Sequence, residues 1–395
     1  MQNKRIIKII TTVTILVIIC ITITYVKSGN REVLATTKEF NSENLQDNEH
    51  MHVEIDSSGD KVPVPNGYVG SKATGENEID AGYVIYEGEE EVNDDNVEEA
   101  QKTRNQYVWI PVPDASKMYG TDKDGKKWGK TYTFTDTSIN PFNWTEKEDI
   151  ITIQNNKSGE PNVILNHTSY TSTIYDMDSN FKNIKNQTNT THEFLNQLEK
   201  DFNNMINSVE KYKGFYIGRY ETGNLAKEKV AIVKGNNDIA SQTWYSLYYK
   251  CKNLKNENED VETGIIWKSQ WDRTLIWLID SGSKTLKDIS VDSASWGNYN
   301  DATFEYINNS GKIVTKSLGS RTRIPTGSSE YTKANNIYDL AGNVYDWTMY
   351  GQYDVRFCMG GDEGCNGNTS ASKYSGNYPT NSYGTRGCRA MLYIK

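Results

Sequence analysis

The stretch Asn336–Trp347 constrains the fold of this chain more than any other part of the sequence. It reads Asn-Ile-Tyr-Asp-Leu-Ala-Gly-Asn-Val-Tyr-Asp-Trp, so acids, amides and aromatic residues surround a single glycine. Its apolar residues recur every three or four positions, as on one face of a short helix: Ile337, Leu340, Val344 and Trp347. The pair Gly342-Asn343 favours a tight turn instead, because both residues adopt positive φ at low cost. The sequence therefore predicts a turn at this place.

The polar residues of this stretch allow two interpretations. Asp339, Asn343 and Asp346 together make an oxygen-rich pocket, which suits a hard cation such as calcium. The same residues also fit a capped turn that packs on Trp347 and binds no ion. The residues alone leave both interpretations open.

Composition limits the class of protein. The chain has 395 residues and a net charge of −9, and its lysines and arginines are scattered, so we expect no nucleic-acid partner. Only 36% of the residues are hydrophobic, but 26 tyrosines and 9 tryptophans bury a large area each, which makes a sizeable core feasible. The many Asn, Lys and Ile residues are typical of an AT-rich bacterial coding sequence.

The first residues resemble a targeting segment. Lys4, Arg5 and Lys8 precede an uncharged run over residues 9–26, whose length fits either a signal peptide or an N-terminal membrane anchor. Residues 1–35 are assigned to this segment, with Val33-Leu34-Ala35 as a possible cleavage site. The prediction is an exported protein, at the cell membrane through its N-terminal segment or extracellular.

The remainder divides by composition. Residues 36–58 are polar and of mixed charge, which predicts a flexible tether. Residues 59–395 form the predicted domain, with a polar, loop-dominated insertion at about 114–190. An acidic loop over residues 87–99 fits a solvated charge run better than a calcium loop, because it lacks the usual spacing of a dedicated calcium-binding loop. Strands are predicted at 62–69, 82–86 and 107–112, with a proline-rich edge strand first.

Three helices are predicted downstream of the insertion. The first follows a capping-box pattern at 190–193, with apolar residues at Phe194, Leu198, Phe202, Met205 and Val209. The second is expected to start at Ser241 and to bury Trp244, Leu247, Tyr248, Cys251 and Leu254. The third is expected to start at Ser269, with Trp271, Leu275 and Leu278 facing inward.

Several kinds of chemistry are excluded from the C-terminal half. The four histidines, His50, His52, His167 and His192, all lie upstream of it. A Ser-His-Asp or Cys-His catalytic apparatus and a histidine-ligated metal are therefore ruled out there. No glycine-rich phosphate loop of the Walker or dinucleotide type occurs.

Six sequence blocks carry a family resemblance. In order, they are Gly214–Glu221, Trp267–Trp271, Ser295–Asn298, Asn336–Trp347, Gly360-Gly361 and Gly387–Ala390. Together they resemble the formylglycine-generating enzyme (sulfatase-modifying factor) family. The resemblance implies an α+β, C-type-lectin-like fold with few helices, short strands and much irregular structure. It also implies that Arg389 buries its guanidinium against an acid and a carbonyl.

The same resemblance bears on catalysis at Cys365. Enzymes of this family oxidise a substrate cysteine to formylglycine with copper held by two cysteines. The first aligns with Cys365, four residues after Gly361, but the position of the second is occupied by Ser370. A hydroxyl is a poor Cu(I) ligand, which argues against oxidase activity. Alternatively, Cys365 forms a disulfide with Cys358 or remains an inert thiol, while Cys251 and Cys388 are expected in the core.

The resemblance also implies a calcium site. By position, its ligands would be the side chains of Asp339 and Asp346 and the backbone carbonyls of Gly342 and Val344. Asp346 stands where the family has a glutamate, and its shorter side chain would weaken the site or admit a bridging water.

A tyrosine- and asparagine-rich segment near the C-terminus completes the prediction. Such segments combine rigid aromatic contact area with adaptable hydrogen bonding, as antibody-like binding loops do, and this one also resembles target proteins of diversity-generating retroelements. The predicted ligand-binding residues are Tyr374, Asn377, Tyr378, Asn381 and Tyr383. The sequence therefore predicts an exported module that binds a protein or glycan; the alternative is a copper-dependent formylglycine-generating oxidase with Cys365 as a catalytic residue.

Overall fold

The computed structural model describes residues 45–121, 125, 127–141, 152–155, 161–165, 168–170, 191–226, 229–352 and 355–395. The predicted targeting segment, residues 1–35, lies outside these ranges, as do the first part of the tether and much of the insertion. Within the described ranges, no helix has both the length and the apolar character needed to cross a bilayer.

The described helices are few. They are α1 Val97–Thr103, α2 Thr191–Tyr212, α3 Trp244–Lys252, α4 Lys268–Asp280 and α5 Leu286–Ser290. Single turns of 3₁₀-helix occur at Ala115–Lys117, Asn253–Lys255 and Glu330–Thr332.

The strands are numerous and short. The N-terminal ones are β1 Met51–Ile55, β2 Lys61–Pro65, β3 Tyr68–Gly70, β4 Val84–Glu87, β5 Gln106–Pro111, β6 Tyr119–Thr121, β7 Lys127–Gly129, β8 Tyr132–Phe134, β9 Ile139–Pro141, β10 Thr152–Asn155, β11 Pro161–Leu165 and β12 Thr168–Tyr170. The others are β13 Gly214–Gly218, β14 Gly223–Ala226, β15 Lys229–Ala231, β16 Val261–Ile265, β17 Phe304–Ile307, β18 Ile313–Lys316, β19 Lys333–Ala334, β20 Ile337–Tyr338, β21 Tyr345–Gln352, β22 Val355–Met359, β23 Tyr374–Asn377, β24 Arg386–Cys388 and β25 Ala390–Ile394.

Two sheets organise the domain. The larger has the order β16-β25-β13-β5-β4-β3 and is antiparallel throughout. The smaller has the order β23-β22-β21-β24, in which β21 and β24 are parallel. The remaining strands form small sheets of two or three strands. The fold is thus mixed α and β, with few helices and many short strands, as predicted.

Helix α2 confirms its predicted apolar period. Leu198, Phe202, Met205 and Val209 are all buried, and the helix packs on β13 and β25. Lys213 follows the helix with φ of 64°, a left-handed conformation that stops the helix and turns the chain directly into β13.

The predicted start of α3 at Ser241 is wrong. Ser241 has φ of 66°, which no α-helix accommodates, and the helix begins three residues later. Thr243 is the N-cap, and its hydroxyl accepts a hydrogen bond from the amide of Ser246 at 3.1 Å. The apolar face is nevertheless as predicted, because Trp244, Leu247, Tyr248, Cys251 and Leu254 are buried.

Helix α4 starts one residue before its predicted position and connects the two sheets. Its inward residues Trp271, Leu275 and Leu278 are fully buried, and the helix packs on both β5 and β21. A buried ion pair joins Lys268 Nζ to Asp272 Oδ2 at 2.6 Å, one turn apart. The four tryptophans Trp267, Trp271, Trp296 and Trp347 all lie in the core.

Two predicted boundaries need correction. The tether does not extend to residue 58, because β1 pairs with β2 and the His50 ring contacts Asp260 Oδ1 at 2.9 Å. The first part of the insertion forms two hairpins, β6–β7 and β8–β9, rather than loops. Lys127 Nζ lies 2.6 Å from Glu210 Oε2 of α2, which holds the first hairpin on the domain. The predicted strand at 62–69 is two strands: its prolines lie in β2, which pairs with β1 in a separate hairpin, and β3 ends the larger sheet.

The two sheets meet at the C-terminus of the chain. Strand β24 belongs to the smaller sheet and β25 to the larger one, and Arg389 is the single residue between them. Asn336–Trp347 leads into β21, beside β24, and Glu221 follows β13 closely. The junction of the sheets therefore collects three of the sequence blocks described above.

Candidate functional site

The stretch Asn336–Trp347 forms the predicted turn. Gly342 and Asn343 have φ of 75° and 65°, and Asp339 has φ of 56°. A Cβ atom on Gly342 would lie 2.4 Å from the carbonyl oxygen of Asn298, so only glycine fits this position. The turn is tightly enclosed by the rest of the domain.

Backbone hydrogen bonds join this turn to two of the other blocks. The amide of Asn298 donates to the Ala341 carbonyl, and the amide of Asn343 donates to the Asn298 carbonyl, both at 3.0 Å. The Gly342 amide donates to the Gly360 carbonyl at 2.8 Å. Segments far apart in sequence thus share one backbone network around the turn.

Asn343 fixes the interior of the turn with its side chain. Its Nδ2 donates to Glu221 Oε2 at 2.6 Å, while its Oδ1 accepts from Asn298 Nδ2 at 2.9 Å and from the Ile324 amide at 3.0 Å. Glu221 also accepts from the Val344 amide through Oε1 at 3.2 Å. Sequence reasoning did not identify Glu221 as a site residue; its only signal was its position at the end of the first block.

Arg389 holds the other side of the turn, as predicted. Its Nε donates to Asp346 Oδ2 at 3.2 Å, and its terminal nitrogens donate to the carbonyls of Gly218, Tyr338 and Asp339 at 3.0, 2.8 and 3.1 Å. The guanidinium is fully buried, and it links β13, the turn and β21.

The carboxylates around Arg389 have raised pKa values. Burial raises the pKa of Asp346 to about 6, although Arg389 opposes the shift. Burial also raises the pKa of Asp339. The pKa of Glu221 is raised well above its usual value by burial and by the neighbouring charges of Asp339, Asp346 and Asp238. One guanidinium does not compensate this many buried acids.

The buried oxygens of the turn fit the chemistry of a cation site. Asp339 Oδ2 accepts from the Gly327 amide at 2.7 Å and from Thr326 Oγ1 at 3.1 Å, but its Oδ1 and the Oδ1 of Asp346 receive no hydrogen bond from any described residue. Carboxylate oxygens of this kind are preferred calcium ligands. Across the described residues, no three His, Cys, Asp or Glu side chains converge on one metal position. A calcium ion would therefore depend on Asp339 and Asp346 together with the predicted carbonyls of Gly342 and Val344.

Cys365 lacks the lowered pKa of a reactive thiolate. It is half-buried, its Sγ lies 3.6 Å from the hydroxyl of Tyr345, and burial raises the pKa of its thiol. Ser370, at the position of the second copper ligand, is fully buried, and no described residue hydrogen-bonds to its hydroxyl. Cys358 and Cys365 have different neighbours: Cys358 Sγ accepts from Asn377 Nδ2 at 3.5 Å, and no disulfide joins the two residues in this structure.

The predicted ligand-binding residues lie on β23 and in the segment after it. Tyr374 and Tyr378 are 44% and 51% exposed, Asn381 is exposed, and Asn377 and Tyr383 are half-buried. We call these five residues the Tyr/Asn surface. The Tyr374 ring packs edge-on against Phe357, with centroids 5.0 Å apart.

The segment that carries the Tyr/Asn surface is anchored at both ends. The amide of Trp244 donates to the Pro379 carbonyl at 3.1 Å, and the amide of Ser241 donates to the Tyr383 carbonyl at 2.9 Å. The Asn381 amide closes a turn onto the Tyr378 carbonyl at 3.1 Å. The exposed rings are therefore presented by a fixed backbone.

A polar cluster that sequence reasoning missed borders this surface. The Arg386 guanidinium lies 4.1 Å from the centre of the Tyr345 ring and 5.9 Å from that of Tyr383, and it pairs with Asp362 Oδ2 at 3.2 Å. We call Tyr345, Asp362, Tyr383 and Arg386 the Arg386 cluster. It connects the Tyr/Asn surface to Cys365, and its members are too far apart in sequence to form a recognisable motif.

No protein-family model and no curated protein matches the chain. Among solved structures, PvdO from Pseudomonas aeruginosa is similar at 13% identity and a TM-score of 0.31, covering 46% of this chain and 82% of PvdO. CarF is similar at 11% identity and a TM-score of 0.28, covering 46% and 87%. Treponema denticola variable protein 1 is similar at 10% identity and a TM-score of 0.28, covering 70% and 98%.

Proposed function

We propose that this chain is an exported bacterial ligand-binding module on a C-type-lectin-like scaffold, distantly related to the formylglycine-generating enzyme family. The proposed relation to this family is supported by contacts between the sequence blocks in the folded domain. The turn at Gly342 contacts Asn298 and Gly360 through its backbone, and Arg389 and Glu221 enclose it from two sides. The sequence blocks that resemble the family are therefore also joined by hydrogen bonds in the folded domain.

The Tyr/Asn surface is the single observation that carries the binding function. It places exposed tyrosine rings beside asparagine amides on an anchored backbone. A tyrosine offers a large contact area with few torsions to immobilise, and amides provide donors and acceptors that suit either a polypeptide or a sugar. A fixed backbone also reduces the entropy lost on binding. The ligand is therefore proposed to be a protein or glycan at the cell surface.

Binding arrays test this proposal. The full chain is applied to a glycan array and to an array of surface proteins, and saturable binding to a defined ligand is expected. The double variant Tyr374→Ala, Tyr378→Ala should lose about tenfold or more in affinity, because it removes both exposed rings. Ile313→Ala removes a side chain that is 70% exposed on another sheet and serves as the matched control.

The array result has a clear contrary outcome. If the double variant binds as tightly as the wild type while Ile313→Ala weakens binding, the Tyr/Asn surface is not the binding site. If no glycan or protein binds saturably, the binding function itself is wrong.

The oxidase remains the second candidate, because Cys365 follows Gly361 at the spacing of the first copper ligand. Against it stand the serine at position 370 and the raised pKa of the Cys365 thiol, since copper binds the thiolate. Oxygen-dependent formation of formylglycine in a cysteine-containing peptide, abolished by Cys365→Ser, would establish the oxidase. Turnover that is absent, or unchanged in Cys365→Ser, would dispose of it.

A further inference from the structure

Two cysteines of the core approach each other across the molecule. Cys251 lies on α3 and Cys388 ends β24, 137 positions apart in sequence, yet their Sγ atoms are 3.4 Å apart. Both side chains are fully buried. Sequence reasoning expected both residues in the core, but nothing in their spacing indicated that they meet.

The surroundings favour this pair over any other described pairing. Cys388 is held in place by the parallel pairing of β24 with β21 and by its carbonyl, which accepts from the Thr222 amide at 2.9 Å. Cys251 sits on the buried face of α3, whose N-terminus is capped by Thr243. The other described thiols have different neighbours, since Cys358 contacts Asn377 and Cys365 contacts Tyr345.

We propose that Cys251 and Cys388 are oxidised to a disulfide that cross-links α3 to the end of β24. A sulfur–sulfur bond of about 2.05 Å requires the two atoms to approach by roughly 1.4 Å, which side-chain rotation with a small backbone adjustment can supply. Two S–H bonds break and one S–S bond forms. The two electrons pass to a disulfide of the glutathione or protein-oxidase type, which is reduced to two thiols, and the protons follow.

Burial determines when this cross-link forms and how long it lasts. Thiol–disulfide exchange requires that the oxidant reach the sulfur, and burial shields both sulfurs from solvent in the folded domain. The bond is therefore expected to form while the chain folds and to resist added reductant afterwards. Because it closes a long loop of the unfolded chain, it should raise Tm by about 5 °C.

Refolding of the full chain tests the inference. The protein is denatured, refolded with oxidised and reduced glutathione, quenched with acid, and unfolded again for labelling of free thiols with N-ethylmaleimide. A peptide map should show Cys251 linked to Cys388, and the intact mass should show the loss of two hydrogens. Cys358 and Cys365 should be labelled.

Variants identify the effect on stability. Cys358→Ala, Cys365→Ala should keep the linked peptide and the rise in Tm between reduced and oxidised protein, whereas Cys251→Ala, Cys388→Ala should lose both. Full labelling of Cys251 and Cys388 after oxidative refolding would overturn the proposal, and so would linkage of either one to a different cysteine. The mass measurement on the wild type decides the question even if a variant fails to fold. The outcome does not depend on whether the Tyr/Asn surface binds a ligand.

Discussion

Gly342 shows how a single residue sets the geometry of the candidate site. Its φ of 75° is unfavourable for most other residue types, and the Asn298 backbone occupies the space where a side chain would project. Because the neighbouring amides of Gly342 and Asn343 donate to Gly360 and Asn298, a shift of this residue would disturb both contacts. Two constraints therefore act on this position: the positive φ of its backbone and the close approach of the Asn298 backbone.

A matched pair of glycines separates these two constraints. Gly311 has φ of 74°, but nothing lies within 4 Å of the Cβ that a substitution would add. Gly311→Ala should cost about 1 kcal/mol for the left-handed backbone alone, and Gly342→Ala should cost about 3 kcal/mol or more because of the added clash. Urea unfolding of the two variants measures the difference. Equal losses would mean that the enclosure of Gly342 is not rigid.

Asp346 should make stability depend on pH. Its pKa is about 6 in the folded protein against an ordinary value of 3.8, so the folded state binds more protons between these values. The contribution of Asp346 to the free energy of unfolding is fully present below about pH 4. It falls by about 1–3 kcal/mol as the pH rises towards 6. Asp346→Asn cannot titrate, but its amide oxygen can still accept from Arg389. In calcium-free buffer the wild type should therefore lose stability relative to this variant from pH 4 to 6.

Subtracting the unfolding free energy of Asp346→Asn from that of the wild type removes the contribution of other acids. Glu54 and Glu262 have pKa values lowered to about 2, so they stabilise the fold above their ordinary pKa of 4.5 and lose that contribution in acid. These groups are common to both proteins and cancel. A constant difference in unfolding free energy across pH 4 to 6 would show that Asp346 is ionised normally.

The local conformation of the turn was predictable from sequence, but its partners were not. Gly342-Asn343 signals positive φ because the preference belongs to the two residues themselves. Glu221 lies 122 positions from Asn343, and its role follows from the pairing of sheets that no local pattern encodes. The burial of Arg389 against an acid and a carbonyl was expected only because of the family resemblance, and the structure identifies that acid as Asp346.

At the level of elements, the Arg386 cluster connects β24 to the segment carrying the Tyr/Asn surface. The guanidinium lies over the rings of Tyr345 and Tyr383 and pairs with Asp362. Arg323 adds a second contact, since its guanidinium hydrogen-bonds to the Gly384 carbonyl and pairs with Glu363 at 3.2 Å. Cationic side chains therefore fix the segment that lies between β23 and β24.

Loss of the Arg386 contacts should increase local opening of this segment without unfolding the domain. In Arg386→Met, amide hydrogen exchange over residues 378–385 should accelerate by about five- to tenfold, since a partly buried cation–π pair contributes roughly 1 kcal/mol. Lys284→Met removes a comparable contact, with Nζ 4.9 Å from the Trp296 ring centre, and should leave residues 378–385 unchanged. Identical exchange in the wild type and Arg386→Met would contradict the anchoring role.

Elements with a strong apolar period were easier to predict than those that depend on polar contacts. The buried face of α2 follows from its spacing, because burial requires one apolar stripe. Residues 45–58 and the hairpins β6–β9 were predicted to be irregular from their polar composition. They are ordered because polar side chains find distant partners, such as His50 with Asp260 and Lys127 with Glu210.

For the whole molecule, calcium is expected to stabilise the junction of the two sheets. A cation that binds the oxygens of Asp339 and Asp346 would compensate the buried negative charge and favour the folded state. At a calcium concentration a hundredfold above Kd, the gain is about 2.7 kcal/mol, which corresponds to a rise in Tm of roughly 4 °C. Differential scanning calorimetry in calcium and in EDTA measures this rise.

Two controls make the calcium result specific. Magnesium should have a smaller effect, because it requires a stricter geometry and releases its water reluctantly. Asp346→Asn should reduce the effect of calcium, because an amide is a weaker ligand than a carboxylate. The same Tm in millimolar calcium and in EDTA would exclude a structural calcium ion at this turn.

Mapping the ligand on the domain tests the central claim most directly. Hydrogen exchange of the full chain is compared with and without the glycan or protein that binds it on the arrays. The Tyr/Asn surface predicts that protection concentrates in residues 374–386, with little change in the hairpin of β17 and β18. Protection confined to that hairpin, or to elements outside residues 374–386, would contradict the assignment of this surface as the binding site.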